Sequence, residues 1–283
     1  MNTHRVTEAM TDQFREYLIR EERSQATVEK YLRDIRAFMD YCKEKNGYVD
    51  KTVVMAYKEY IRENYKPSSV NSMLASVNGF CKFMGWQECC VRPLKVQRAI
   101  FCQEERMLKK EEYFRLLKTA KYKNDFRMCM IMETLGSTGM RVSELPYVTV
   151  EALKQRQTVI SCKGKIRKIF LPEKLCQKLK NYIKKMNIRS GSIFVTRSGK
   201  PMNRSNIWAA MKKICQDAGV DPRKVFPHNF RHLFAVMYYE MEKDIAKLAD
   251  LLGHSCVETT RIYILTDGMQ HRKQIERLNM LLE

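Results

Sequence analysis

Six side chains in the second half of this 283-residue chain have the types and spacing needed to break a phosphodiester. Arg141 lies in Thr-Gly-Met-Arg-Val-Ser-Glu-Leu (138–145), and Lys163 in Cys-Lys-Gly-Lys (162–165). His228 and Arg231 share His-Asn-Phe-Arg-His (228–232), and His254 lies in Leu-Gly-His-Ser (252–255). Tyr263 follows nine residues after His254, in Thr-Thr-Arg-Ile-Tyr. Cleavage without a metal requires a positioned attacking oxygen, stabilised charge on the phosphoryl oxygens and a proton for the leaving oxygen. One nucleophile and five cationic or proton-transferring groups answer those needs, so the set asks for no metal and no cofactor.

Arginine suits the second task, because its planar fork gives paired hydrogen bonds to phosphate and keeps its charge. Arg141 and Arg231 are the candidates; taken alone, each reads more simply as a structural arginine. Arg141 follows Thr138-Gly139, which reads as a turn opening a helix through Val142 and Leu145, and a helix N-terminus attracts phosphate. His228 and Arg231, three apart on a helix expected to open at Pro227, share a face. His232 lies one turn from His228 and raises a zinc pair. The segment is not His-Glu-x-x-His and no third ligand stands out, so His232 reads as structural. Histidine titrates near neutrality, which suits His228 and His254 to hydrogen bonding and proton transfer around a phosphate. Tyrosine as a class ionises near pH ~10 and attacks at neutral pH only with a base or a positive field beside it. Two arginines and two histidines would supply that field to Tyr263. Lys163, at the tip of an expected hairpin, would protonate the leaving 5′ oxygen; a solvated lysine is the plain alternative, with Lys165 and Lys168 close by.

The bulk numbers agree with an anionic partner. The formal net charge is +20, with 45% hydrophobic and 30% charged residues, a globular composition. Residues 1–100 carry 17 Lys and Arg against 13 Asp and Glu, and residues 101–283 carry 35 against 19. The excess therefore sits with the motifs, as expected of a surface facing nucleic acid. No stretch reaches the ~18 apolar residues of a membrane span. The N-terminus has no apolar signal core, and the ten cysteines show no Cys-x-x-Cys pair, which reads as reduced thiols in a cytoplasmic protein.

Elements to position the site follow from periodicity. Val28, Tyr31, Leu32, Ile35, Phe38 and Cys42 mark one amphipathic helix, capped by Ser24 or Thr27. Val70, Met73, Leu74, Val77, Phe80, Cys81 and Met84 mark another, opening after Pro67 and closing near Gly85, with a weaker helix over 53–65 between them. Pro93 breaks the pattern, and Arg92, Lys95 and Arg98 make 91–106 a basic linker. Helices resume at 108–120 and 125–135, a hairpin is expected from 158–162 and 166–171, and a short strand from 192–196. The chain is thus expected to be mainly α with a small antiparallel β-sheet. It divides into a helical bundle (1–90), a linker (91–106) and a catalytic domain (107–283).

Together the motifs resemble the active site of the tyrosine recombinase (phage integrase) family. Tyr17-Leu18, Ser24, Thr27, Tyr31, Asp34 and Phe38 also follow the order of the family's SAM-like core-binding domain, and Ile193-Phe194 with Gly199-Lys200-Pro201 matches its catalytic domain. Phe230 departs from the usual Leu. The length leaves no room for the extra arm-binding domain of larger phage integrases, so the chain looks Xer-like. The resemblance implies that Arg141 and Arg231 clamp the scissile phosphate, Lys163 acts as general acid, and His228 and His254 assist. Tyr263 would form a 3′-phosphotyrosine link that conserves the bond energy without ATP or metal. It also implies two double-stranded DNA sites joined through a Holliday junction by four protomers, either one protein or a pair of related recombinases. The stripe Ile275, Leu278 and Leu282 reads as a tail helix that docks on a neighbour or on its own domain. A type IB topoisomerase shares this chemistry, and a DNA-binding regulator that has lost activity is a rival of another class.

Overall fold

The computed structural model describes residues 3–44, 46–95, 106–162, 165–254 and 256–263. The chain divides into two compact units, Met1–Arg98 and Ala99–Glu283. Lys163, residues 96–105 of the basic linker and the stripe at Ile275, Leu278 and Leu282 lie outside the described residues.

In the first unit, β1 (His4–Arg5) leads into α1 (Glu8–Arg20) and α2 (Gln25–Glu44). Then come β2 (Tyr48–Val49), α3 (Lys51–Asn64) and α4 (Pro67–Phe83). β1 and β2 pair antiparallel over two residues, too short a run for any sequence pattern to announce. α2 starts directly after Ser24, whose hydroxyl bonds that of Thr27 at 2.8 Å. α4 opens with Pro67 in its first turn, where a missing N–H costs nothing. The expected apolar stripes face inward: Val28, Leu32, Ile35 and Phe38 meet Val70, Leu74, Val77 and Phe80 in one core. Asp34 is buried there as well, with Lys30 Nζ at 2.8 Å and the Ser76 hydroxyl at 3.0 Å as its partners. Gly85 closes the bundle at φ +76°, a conformation that costs glycine little.

The second unit begins with α5 (Lys110–Tyr122) and α6 (Phe126–Thr138), the latter capped by the Asp125 carboxylate on the Met128 N–H. A 3₁₀ turn (Val142–Tyr147) and α7 (Val150–Gln155) lead to the hairpin of β3 (Gln157–Cys162) and β4 (Lys165–Phe170). Its antiparallel register runs from Gln157 opposite Phe170 to Cys162 opposite Lys165. α8 (Glu173–Lys185), α9 (Arg204–Ala218), α10 (Pro227–Glu242), α11 (Ile245–Leu252) and α12 (Val257–Arg261) follow. Their apolar faces build one main core, and a smaller cluster of Ala235, Leu248, Leu252 and Tyr263 sits beside it.

Two expectations change. Residues 192–196 form no strand. They make isolated bridges, Thr149 with Ser192 and Val195 with Pro201, so each end meets a different partner and no ladder can run between. Residues 142–147 form a 3₁₀ turn rather than an α-helix: the Pro146 ring inside it would clash with the carbonyl four residues back in an α-helix. The phosphate attraction expected of a helix N-terminus at Arg141 therefore has no helix behind it. Among the described residues no helix is long and apolar enough to cross a membrane.

Candidate active site

α10 is the element on which the site is built. Pro227 occupies its first turn, and residues 228, 231 and 232 then project along one side of it. Arg231 is 1% exposed, the largest fully buried side chain among the described residues. Its fork is satisfied on three sides. Nη1 donates to the Gly139 carbonyl at 2.7 Å, and Nη2 donates to the Leu252 carbonyl at 2.7 Å and to His254 Nε2 at 2.8 Å. Those carbonyls end α6 and α11, where helices leave acceptors unsatisfied. Gly139 turns the chain there at φ +63°, and a Cβ on it would overlap the Phe234 ring. One guanidinium thus holds together the ends of two helices and the following histidine.

These bonds define the state of His254. Arginine only donates, so His254 Nε2 must accept with its lone pair. The proton then sits on Nδ1, which donates to the Thr260 hydroxyl at 2.8 Å. Burial, with the charges of Arg231, Arg141 and Arg167 around it, holds this imidazole's pKa down to about 4. His254 is accordingly neutral at pH 7.

Tyr263 closes the group from the end of α12. Thr260, one turn earlier, is buried and carries the tyrosine's backbone N–H at 2.9 Å. The Tyr263 ring stacks on His254 with centroids 5.6 Å apart and planes 8° from parallel. His232 meets it edge-on at 5.3 Å. The Tyr263 hydroxyl lies 3.3 Å from His228 Nε2. Burial, then Arg231, Arg141 and Arg204, lower the His228 pKa, which favours its neutral ring. Arg231 itself is pushed down to about 10 by burial and by Arg141, while Tyr263 acts in the opposite sense; it stays charged at pH 7.

Arg141 lines a cavity of about 370 Å³ together with Ser143, Arg204, Trp208, His228 and Arg231. It is held by a residue the sequence reading passed over. Glu144, 7% exposed, accepts the Arg141 N–H at 2.7 Å on one oxygen and the Arg141 guanidinium at 3.1 Å on the other. That second oxygen also accepts from Arg167 at 3.2 Å. The signal was present, an acid three residues after Arg141 at a cap position, but an acid among phosphate binders reads as a surface residue.

Of the six expected site residues, Arg141, His228, Arg231, His254 and Tyr263 come together, and Lys163 lies outside the described residues. His228 and His232 both meet Tyr263: His228 faces its hydroxyl, and His232 meets its ring edge-on. Phe230 points the other way into the core, edge-on to Tyr113 at 6.0 Å, so its departure from Leu is a packing matter. In the first unit His4, Glu88 and Cys89 come close enough to share an ion, but His4 and Glu88 already pair at 2.8 Å.

The chain as a whole has counterparts among known proteins. Tyrosine recombinase XerA of Pyrococcus furiosus is 26% identical over 281 residues, covering 95% of this chain and 94% of that protein. Tyrosine recombinase XerD of Oceanobacillus iheyensis is 24% identical over 260 residues, covering 85% and 87%. Among solved structures, a lambda integrase dimer bound to a COC′ core site aligns at a TM-score of 0.73 with 16% identity, over 93% of this chain and 78% of that one. XerH bound to difH before cleavage aligns at 0.69 with 16% identity, over 95% and 84%. These likenesses show the fold. Residues 106–268 match the phage integrase family and residues 11–88 match the phage integrase N-terminal SAM-like domain. The chain therefore belongs to the phage integrase family of tyrosine recombinases, and its relatives are of the Xer type.

Proposed function

We propose that this protein is a site-specific DNA recombinase that cuts and rejoins strands through Tyr263. The observation that carries the reading is the Tyr263 hydroxyl 3.3 Å from a neutral His228, in a ring stack with His254 and beside the buried Arg231. In the proposed step the phenol gives its proton to His228 Nε2 and attacks the scissile phosphorus. A phosphorus–oxygen bond to Tyr263 forms as the bond to the 5′ oxygen breaks. Arg141 and Arg231 take the charge that develops on the non-bridging oxygens, where fixed donors count most. Lys163 gives the 5′ oxygen its proton. A 5′ hydroxyl from a second strand reverses the step, so the energy of the bond is conserved and neither ATP nor metal is required.

The basic second unit and the family's N-terminal domain support double-stranded DNA as the partner. A lambda integrase tetramer bound to a Holliday junction aligns with this chain at a TM-score of 0.70 and 14% identity. We extend that assembly to this protein: four copies, or copies mixed with a related recombinase, exchanging strands in the cytoplasm. Incubation with supercoiled plasmid lacking any target site tests the main alternative. A recombinase leaves it unchanged, whereas steady relaxation would replace this reading with a type IB topoisomerase.

A further inference from the structure

β4 exposes Ile166 and Phe170 and buries Ile169, so its alternation assigns residue 167 to the inner face. An arginine stands there. Its side chain is only 12% exposed, and of its donors Nη1 meets Glu144 at 3.2 Å while Nε and Nη2 are buried without a partner. A buried guanidinium with unspent donors is costly, and an apolar residue would fill the same place without that cost. The contacts of Arg167 indicate what the charge does. Glu144, its ion-pair partner, is the carboxylate that holds both the backbone and the guanidinium of Arg141. On the other side Arg167 passes across Gly253, at φ +63°, where a Cβ would overlap Arg167 Cδ and come within 2.9 Å of Nε. Gly253 immediately precedes His254. Burial, and to a lesser extent Arg141, lower the pKa of Arg167, while Glu144 opposes the change.

We infer that Arg167 is a positioning residue that ties the strand following Lys163 to the two turns presenting Arg141 and His254. It touches neither DNA nor the reacting atoms. It sets the spacing of the phosphate-binding groups from the hairpin side, as Arg231 does from the helix side. Gly253 is the glycine that lets it pass. The inference rests on the recombinase reading for its catalytic consequence and on geometry alone for its contacts.

Two measurements test it. In the first, wild type, Arg167→Met, Arg167→Lys and Tyr263→Phe are compared on a nicked duplex carrying a sequence recovered by covalent attachment to the wild type. Met fits a buried place and leaves Glu144 its bonds to Arg141. Arg167→Met is expected to melt within a few degrees of wild type and to bind the duplex with unchanged affinity, yet to attach covalently at least tenfold more slowly. Arg167→Lys, keeping one donor for Glu144, is expected to recover part of the rate. A rate within twofold of wild type for Arg167→Met overturns the inference. So does a loss of affinity that accounts for the slower attachment, since that makes Arg167 a DNA contact. Absence of attachment by the wild type refutes the recombinase reading instead.

The second measurement needs no DNA. Gly253→Ala is made in wild type and in Arg167→Ala, and thermal melting is recorded for the full cycle. With Arg167 present the new Cβ both clashes and strains the backbone; without it only the strain remains. The fall in melting temperature caused by Gly253→Ala is therefore expected to shrink markedly in the Arg167→Ala background. Equal falls in both backgrounds would mean that the two residues do not meet as inferred.

Discussion

Arg231 brings a full charge into the interior, and a buried ion costs several kcal/mol unless its donors are met. Here they are met by carbonyls that end two helices and by a histidine lone pair, so the group is fixed before DNA arrives. Fixed donors need no reorganisation as charge develops, and losing one such donor costs about 3 kcal/mol or more in rate. Arg231→Lys keeps the charge but has no fork to span Gly139, Leu252 and His254 together. Strand cleavage by that variant is expected to fall by two or more orders of magnitude in a single-turnover assay. A rate near that of wild type would remove Arg231 from the chemistry. The residue types were legible in the sequence because arginine, histidine and tyrosine at these spacings have few other joint uses. The part played by Glu144 was not, because an acid acquires meaning only once its partners are known.

α10, α11 and α12 form the element-scale device, and they can be tested through protons. His232 and His254 are held to pKa values of about 4, against 6.5 for an ordinary histidine, chiefly by burial. His228 and Tyr263 face His232, while Arg231, Arg141 and Arg167 act on His254. Between pH 6.5 and 4 the unfolded chain binds protons that the native site refuses. The stability contributed by the neutral rings is therefore full above about pH 6.5 and is lost progressively as pH falls toward 4. The melting temperature is expected to drop over that interval, and His232→Leu is expected to make the drop shallower. An unchanged slope in the variant would mean that His232 is protonated in the folded protein. Gly139→Ala tests the same device from α6: positive φ and the Phe234 ring both oppose a side chain there. A clear loss of melting temperature is expected, and an unchanged one would mean that the turn relaxes at no cost. Helices with strong apolar stripes, such as α2 and α4, could be read in advance because one face buries all the apolar residues. The segment 192–196 could not, since a β-prone run says nothing about whether a partner strand lies alongside. The turn after Arg141 departs from its spacing for a similar reason: Val142 and Leu145 keep helical spacing, but Pro146 lies inside the segment, which is 3₁₀.

For the whole molecule, charge is the property that decides binding. A net +20, concentrated in the unit carrying the site, predicts an interface built on phosphate contacts. Affinity for duplex DNA is expected to fall steeply and linearly on a logarithmic scale as salt rises, because each neutralised phosphate returns a counterion to solution. A flat response would contradict a phosphate-dominated interface. Pro93 and the loss of helical periodicity after it divide the sequence at 91–106, and the chain separates into the units Met1–Arg98 and Ala99–Glu283. The DNA sequence bound is not legible, because base readout depends on which side chains meet which groove once the duplex is in place.

In the proposed reaction Tyr263 becomes covalently joined to DNA at a defined place. Wild type and Tyr263→Phe are incubated with nicked genomic fragments from the source organism, washed under denaturing conditions, and the retained DNA is sequenced. Wild type is expected to retain fragments sharing one site, and Tyr263→Phe, though still able to bind DNA, is expected to retain none. Equal retention by Tyr263→Phe, or none by either protein, would contradict it.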